Sequence, residues 1–222
     1  MDRDEMLRVL RAFERETLEY VLVGAAAMGV HGIVRATEDL DLFIQPTHDN
    51  VERLKRAFRS VYGDDPNIDE IRAQDLLGDY PAVRYYPPTG DLYFDVMTRL
   101  GEAANFESVA REAKQIEGIR VLVATPVALY RLKKGTVRPI DRQDAEALPL
   151  QRFRSAEDMN AAAVLKRPGE GFDRFARQCA RYWTIAPRVY PRGVFRFRSL
   201  EEAQEARRRI SEGNAARIRA LG

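Results

Sequence analysis

The 222-residue sequence contains little cysteine and histidine and has no long apolar run. Its single cysteine, Cys179, cannot form an internal disulfide, which is typical of a protein from a reducing compartment. One cysteine and two histidines are also too few for a structural zinc site. Because no apolar run approaches the roughly 18 residues of a membrane span, and no apolar signal segment follows Met1, we expect a cytoplasmic protein without a membrane partner.

The net charge of +2 conceals an uneven distribution of charge along the chain. Residues 151–222 contain 16 Lys and Arg against 8 Asp and Glu, whereas residues 1–150 contain 20 against 26. An acidic first part followed by a basic second part indicates a polyanionic partner held near an acidic site. Arginine-rich helices that are simply well solvated would give the same count, so both interpretations remain open here.

The pattern of apolar residues predicts a mixed α/β (α+β) fold, with a small mixed sheet flanked by helices. The predicted strands are 20–23, 40–44, 83–86, 92–97 and 119–123, and the third and fourth form a hairpin around Pro87 to Gly90. The predicted helices in the first part are 3–17, one that Thr47 or Asp49 caps, and 125–132. Beyond residue 150 the pattern is mainly helical, at about 157–166, 171–183 and 200–220. We therefore expect one domain over 1–150 and a basic, mainly helical domain over 151–222.

Two aspartates on one predicted strand and a third on another form the strongest chemical pattern. Side chains alternate along a strand, so Asp39 and Asp41 point to the same face, about 7 Å apart. Asp95 lies inside an apolar strand, where an unpaired charge is expensive to bury. Hard oxygen ligands without nearby sulfur or imidazole favour Mg²⁺ or Mn²⁺. The alternative for the pair alone is an edge strand that uses aspartates for solubility. Glu38 and Asp91 fall outside the alternation and are expected to be solvated.

A glycine turn precedes these aspartates. Gly24 follows an apolar strand and opens a helix of small residues, an arrangement that lets backbone N–H groups approach phosphates. No Gly-Lys-Ser/Thr follows, which excludes a Walker loop, and the spacing of Gly24, Gly29 and Gly32 does not fit a dinucleotide fingerprint. His31 in this helix is expected to be packed, and so are Tyr182 and Trp183.

Together these residues resemble a known family. The pattern resembles that of polymerase-beta-type nucleotidyltransferases and, over about residues 5–150, the AbiEii-like enzymes of bacterial toxin–antitoxin systems. The matching residues are Val23-Gly24-Ala25, Gly32, Arg35, Thr37, Asp39-Leu40-Asp41-Leu42, Phe94-Asp95-Val96, Thr125 to Lys133, Arg138, Asp141, Asp144 and Leu148. The chain departs from the pattern at Ala25, where the family has Gly or Ser, and at Ile140, where it often has Lys.

The resemblance implies a two-metal transfer of a nucleoside monophosphate from a nucleoside triphosphate to an acceptor hydroxyl. The implied catalytic and metal-binding residues are Asp39, Asp41 and Asp95, and Asp95 could also accept a proton from the acceptor. The implied nucleotide-binding residues are Gly24, Ala25, Arg35, Thr37, Lys133 and Arg138. For Arg138, an ion pair with Asp141 or Asp144 is an equal alternative.

Three functions remain open at this point. The leading hypothesis is a toxin that modifies RNA, at the 3′ end of tRNA, and that a cognate antitoxin controls. The second is transfer of AMP to a protein or a small molecule. The third is a non-catalytic binding or regulatory module that retains the fold, which Ala25 and Ile140 motivate. The alternation of basic and aromatic residues over 192–198 fits nucleic-acid binding or, with slightly more weight, a strand packed on the core.

Overall fold

The protein is described by a computed structural model that covers residues 2–33, 37–134, 139–148, 171–185 and 189–221. The strands are β1 Tyr20–Leu22, β2 Asp39–Ile44, β3 Ala82–Tyr86, β4 Tyr93–Met97, β5 Arg99–Leu100, β6 Ala104–Asn105, β7 Arg111–Ile116, β8 Ile119–Ala124 and β9 Gly193–Phe197. The helices are α1 Arg3–Arg15, α2 Gly24–Val30, α3 His48–Tyr62, α4 Ala73–Leu77, α5 Pro126–Lys134, α6 Pro139–Ala147, α7 Gly171–Ile185 and α8 Leu200–Leu221, with a 3₁₀ helix at Pro66–Glu70.

Seven of the strands form one mixed sheet in the order β7-β8-β1-β2-β4-β3-β9. Strand β2 is antiparallel to β1 and parallel to β4, and β3 and β4 form the predicted antiparallel hairpin. The predicted α/β class, a small mixed sheet flanked by helices, is confirmed. Its consequence for function is that β2 and β4, the two strands that carry the aspartates, are direct neighbours near the middle of the sheet.

Apolar faces of the helices cover this sheet. The predicted apolar side of α1 is fully buried, and none of its residues Met6, Leu7, Val9, Leu10 and Phe13 is more than 3 % exposed. Helix α3 begins where the hydroxyl of Thr47 accepts a hydrogen bond from the Asn50 N–H, so Thr47 is the cap. Phe58 of α3 packs on Phe94 and Tyr85, with ring centroids 4.7 and 5.0 Å apart. Each buried aromatic ring contributes about 1.5–3 kcal/mol, which anchors the helix on β3 and β4.

Several elements were not predicted from the sequence. Strand β7 was missed because it is an edge strand of mostly polar residues, and only its last residue, Ile116, is buried. Helix α6, the short helix α4, the 3₁₀ helix and the β5–β6 pair were also missed. The predicted helix at 157–166 lies outside the described residues.

The basic and aromatic stretch near residue 195 is strand β9. It pairs antiparallel with β3 from Ala82↔Phe197 to Tyr86↔Gly193 and so forms the other edge of the main sheet. The interpretation of this stretch as a strand is therefore confirmed, with Gly193 and Phe197 buried and Phe195 37 % exposed. Nucleic-acid binding by this stretch stays a prediction. The described part of 151–222 thus contains two helices and a strand of the main sheet, and a domain boundary at residue 150 stays a prediction.

Candidate active site

Three carboxylates meet where β2 and β4 lie side by side. The parallel register places Asp41 directly beside Asp95, and Asp39 precedes Asp41 by one full alternation on the same face. One oxygen from each of Asp39, Asp41 and Asp95 can be chosen such that all lie within 4.8 Å of one another. The sequence predicted that these side chains share a face, and the sheet brings them together. Their role as metal ligands stays a prediction.

Gly24 lies directly against this cluster. Its φ of +64° is in the left-handed region, which glycine adopts without strain. A Cβ atom at this position would stand 1.8 Å from Oδ2 of Asp41, so only glycine leaves room for the carboxylate. The turn between β1 and α2 therefore fixes the position of Asp41 through close contact.

Asp39 is almost fully buried and receives donors from three parts of the chain. The hydroxyl of Thr37 donates to Oδ1, and the hydroxyl of Tyr93 donates to Oδ2 over 3.4 Å. Nη2 of Arg207, from helix α8, lies 2.7 Å from the same Oδ2 atom. The Asp39 charge raises the pKa of Arg207 further above its ordinary value. Thr37, predicted to bind the nucleotide, thus contacts the aspartate that it precedes.

Asp95 forms a bidentate ion pair with Arg84 of β3. Nε of Arg84 donates to Oδ1 over 2.6 Å, and Nη2 donates to Oδ2 over 2.9 Å. The Arg84 side chain is only 2 % exposed, and its Nη1 lies 3.5 Å from the carbonyl oxygen of Ala203. Burial opposes the guanidinium charge, but the adjacent Asp95 carboxylate outweighs it and raises the pKa of Arg84. Asp95 is therefore held rigidly, and each of its oxygens keeps a second lone pair for another ligand.

The third carboxylate, Asp41, lies beside Asp95 on the neighbouring strand and two residues after Asp39 on its own strand. Burial and then the charges of Asp39 and Asp95 raise the pKa of Asp41 to about 7. Burial disfavours the charged carboxylate, and three like charges close together cannot all ionise cheaply. A hard divalent cation would relieve that repulsion, and an all-oxygen donor set is what Mg²⁺ and Mn²⁺ prefer. The residues present therefore fit the metal ion that the sequence pattern implies.

The other predicted nucleotide-binding residues were placed as follows. Gly24, Ala25, Thr37 and Lys133 line the same pocket as the three carboxylates. Nζ of Lys133 lies 3.1 Å from Oδ1 of Asp141 and 2.8 Å from Oδ2 of Asp144, and all three side chains are buried. Lys133 is thus held by two acids of α6 in the pocket wall, and its contact with a nucleotide stays a prediction. Arg35 and Arg138 lie outside the described residues.

The sequence did not reveal the two arginines that contact the carboxylates. Arg84 gave a signal in principle, because it is the only charge in an apolar strand and pairs with Asp95 across the predicted hairpin. Arg207 gave none, because it lies in a run of three arginines on an outer helix. The prediction that Glu38 is solvated was wrong, since Glu38 is 6 % exposed. Asp91 is exposed, as predicted.

Two predicted packing residues are also confirmed. His31 places its Nε2 atom 2.8 Å from the carbonyl oxygen of Ala124, and Trp183 is partly buried against the core. Helix α7, which carries Trp183, also supports the site. The backbone N–H of Thr37 donates to Sγ of Cys179 over 3.4 Å, and this contact holds the segment that leads into Asp39.

The comparison with known families decides the assignment. A family model described as the nucleotidyl transferase AbiEii toxin of type IV toxin–antitoxin systems matches residues 8–133, more than half of the chain. The chain belongs to this family. The AbiEii match includes Gly24, Asp39, Asp41, Arg84 and Asp95 but not helices α6 to α8. No curated protein matches the chain.

Membership of the AbiEii family places the chain among the nucleotidyltransferase toxins of type IV toxin–antitoxin systems. The predicted resemblance is thereby confirmed. Among the described residues, no helix is long and apolar enough to cross a membrane.

Proposed function

We propose that the chain transfers a nucleoside monophosphate from a nucleoside triphosphate to an acceptor hydroxyl, with Mg²⁺ or Mn²⁺ as cofactor. The observation that carries this proposal is the cluster of Asp39, Asp41 and Asp95, whose ligand oxygens lie within 4.8 Å of one another. The cluster lies in the family-matched part of the chain and borders a pocket that Gly24 and Ala25 also line.

In this proposal the three carboxylates hold the cations. Asp39, Asp41 and Asp95 would bind the cation on the acceptor side, and Asp39 with Asp41 would bind the one on the triphosphate side. Bound cations would neutralise phosphate charge and make the acceptor hydroxyl easier to deprotonate. Arg84 occupies both oxygens of Asp95, and this favours Asp95 as a fixed ligand over Asp95 as the proton acceptor.

We further propose that the acceptor is RNA, at the 3′ end of tRNA. The charge excess of residues 151–222 supports a polyanionic acceptor, because phosphate contacts supply affinity without sequence readout. Helix α7 presents part of this positive charge on one exposed face. Arg174, Arg177 and Arg181 are exposed and follow helical spacing on one face. The opposite face carries the buried Phe175 and Cys179, and Cys179 accepts from the Thr37 N–H next to the site.

The biological setting follows from the family. A type IV system implies a cognate antitoxin, which we propose as the partner of this chain. Nucleoside triphosphates and tRNA as substrates agree with the cytoplasmic location predicted from the sequence.

A labelling experiment tests the proposal. The protein is incubated with each α-labelled nucleoside triphosphate, total bacterial RNA and total bacterial protein, with Mg²⁺ or with EDTA. We expect label in the tRNA fraction that needs the divalent cation and disappears in Asp39→Asn and Asp41→Asn. These variants keep the side-chain shape and remove the charge, and Asp91→Asn serves as the matched control on an exposed carboxylate.

The outcomes separate the hypotheses. Label in protein and never in RNA would refute the hypothesis that RNA is the acceptor and would favour AMP transfer to protein. Equal labelling by wild type and by the Asp39 and Asp41 variants would refute the assignment of the site. No binding of any nucleoside triphosphate in a calorimetric titration with Mg²⁺ would favour a non-catalytic module.

A further inference from the structure

Helix α8 sends one arginine into the carboxylate cluster from outside the family-matched segment. Nη2 of Arg207 lies 2.7 Å from Oδ2 of Asp39, and the Arg207 side chain is 32 % exposed while that of Asp39 is 2 % exposed. Its neighbours point elsewhere: Arg208 pairs with Glu205 and Glu212, and Arg209 pairs with Glu205. Of these three consecutive arginines, Arg207 is the one that contacts the site.

The contact places a guanidinium where cation binding would interfere with it. Oδ2 of Asp39 already accepts from the Tyr93 hydroxyl, and the Arg207 guanidinium carbon lies 5.8 Å from the Tyr93 ring centroid. A divalent cation on Asp39 would repel the guanidinium and compete for the same carboxylate. Because Arg207 is attached to the partly exposed face of α8, its long side chain can leave Asp39 without unfolding the helix.

A guanidinium displaced from Asp39 can bind phosphate within the same pocket. Arg207, Gly24, Ala25 and Lys133 line the same pocket. A guanidinium presents a planar fork of donors that matches phosphate oxygens in bidentate geometry. Of the described residues that were predicted to bind the nucleotide, Ala25 has no hydroxyl for the triphosphate, and Lys133 is already paired with Asp141 and Asp144. Arg207 would therefore add a phosphate ligand that these residues do not supply.

We propose that Arg207 is a phosphate-binding residue of this site, which pairs with Asp39 in the free protein and moves to the triphosphate when the cation–nucleotide complex binds. This inference rests on the proposed nucleotidyltransferase function. It predicts a pair of effects with opposite signs. Removing Arg207 relieves competition for Asp39, so a cation alone binds more tightly, and it removes a phosphate ligand, so a cation–polyphosphate complex binds more weakly.

Two titrations by calorimetry test both effects on the whole chain. The first uses Mn²⁺ alone, and the second uses inorganic tripolyphosphate in the presence of Mg²⁺. For Arg207→Gln we expect Mn²⁺ to bind severalfold more tightly than to wild type. We expect tripolyphosphate to bind at least about tenfold more weakly than to wild type, because the loss of a charge-assisted hydrogen bond typically has that effect. Arg209→Gln makes the same charge change on the same helix and should leave both affinities unchanged.

A second variant distinguishes the proposed role of Arg207 from a general loss of structure. Arg207→Lys keeps the positive charge beside Asp39 but lacks the planar fork, so it should bind Mn²⁺ like wild type and tripolyphosphate more weakly. Urea unfolding of each variant shows that the chain is folded under the titration conditions.

Other patterns overturn the inference. If both affinities rise in Arg207→Gln, Arg207 only blocks the site. If both fall, or if Arg207→Gln behaves like Arg209→Gln, Arg207 only holds α8 in place or has no role. If wild type binds neither Mn²⁺ nor tripolyphosphate, the nucleotidyltransferase site itself is refuted, and the role of Arg207 with it.

Discussion

Substituting Gly24 by alanine tests how the turn after β1 and the carboxylate cluster depend on each other. Gly24 has a φ of +64°, and a Cβ built there would stand 1.8 Å from Oδ2 and 2.7 Å from Cγ of Asp41. Two separate penalties therefore act on Gly24→Ala. One comes from the left-handed backbone and the other from the clash with the carboxylate.

The size of each free-energy penalty follows from the geometry at Gly24 and from typical energies of such changes. A left-handed conformation costs a residue with a Cβ about 1–2 kcal/mol. The clash forces the Asp41 carboxylate to move away by roughly 1.7 Å, since ordinary contacts of a carbon atom are about 3.5 Å. Such overpacking adds about 1–3 kcal/mol. We expect Gly24→Ala to lose about 2–5 kcal/mol of unfolding free energy, the sum of the two penalties. Because a misplacement of 1 Å can lower a rate by about 10²-fold, the transfer rate should fall at least that far.

Gly63 offers a matched control. Its φ is +71°, but a Cβ there would meet nothing within 4 Å. With its ψ of −156°, Gly63 has a backbone conformation that glycine alone adopts readily, so Gly63→Ala should show a backbone penalty of about 1–3 kcal/mol without a clash. It should keep wild-type affinity for Mn²⁺. Urea unfolding and Mn²⁺ calorimetry measure the two quantities for both variants.

A double variant isolates the clash itself. In an Asp41→Ala background the contacts with Oδ2 and Cγ are gone, and of the three nearest atoms only Cβ of residue 41, at 3.0 Å, remains. Adding Gly24→Ala there should therefore cost little more than its backbone penalty of about 1–2 kcal/mol. The reasoning is refuted if Gly24→Ala binds Mn²⁺ as tightly as Gly63→Ala, or if its extra loss of stability persists without the Asp41 carboxylate.

Three further predictions concern buried charges. Lys133→Gln should lower the unfolding free energy by about 3–5 kcal/mol, because it removes a buried cation that both α6 aspartates contact; an unchanged urea midpoint would contradict this. Arg84→Lys keeps the charge but loses the bidentate pairing with Asp95, so urea unfolding should show a loss of about 1.5–3 kcal/mol, and a midpoint equal to wild type would count against it. Burial raises the pKa of Glu5 above its ordinary value of 4.5, so the folded chain binds that proton more tightly than the unfolded chain does. The stability of wild type relative to Glu5→Gln should therefore rise as the pH falls from above the folded pKa of Glu5 towards 4.5, and a difference independent of pH would disprove it.

Much of the local structure was readable because its causes are local. The alternation Asp39-Leu40-Asp41-Leu42 predicted a strand with two acids on one face, and β2 has that geometry. The apolar spacing of α1, a cap at Thr47 or Asp49, of which the structure has Thr47, and the β3–β4 hairpin were predicted for the same reason. Strand β7 was not predicted from the sequence, because an edge strand needs few apolar residues.

The candidate site shows where local reasoning ends. The sequence by itself determined which carboxylates the chain has, which face each occupies on its strand, and that a glycine follows β1. Only the tertiary structure decided what neutralises them: Arg84 reaches Asp95 across a hairpin, and Arg207 reaches Asp39 from a helix 168 residues further along the chain. The physical reason is that strand direction follows from neighbouring residues, whereas a long arginine side chain meets its partner only after the sheet and helices have packed. The carboxylates could be named from the sequence, but the cations that hold them could not.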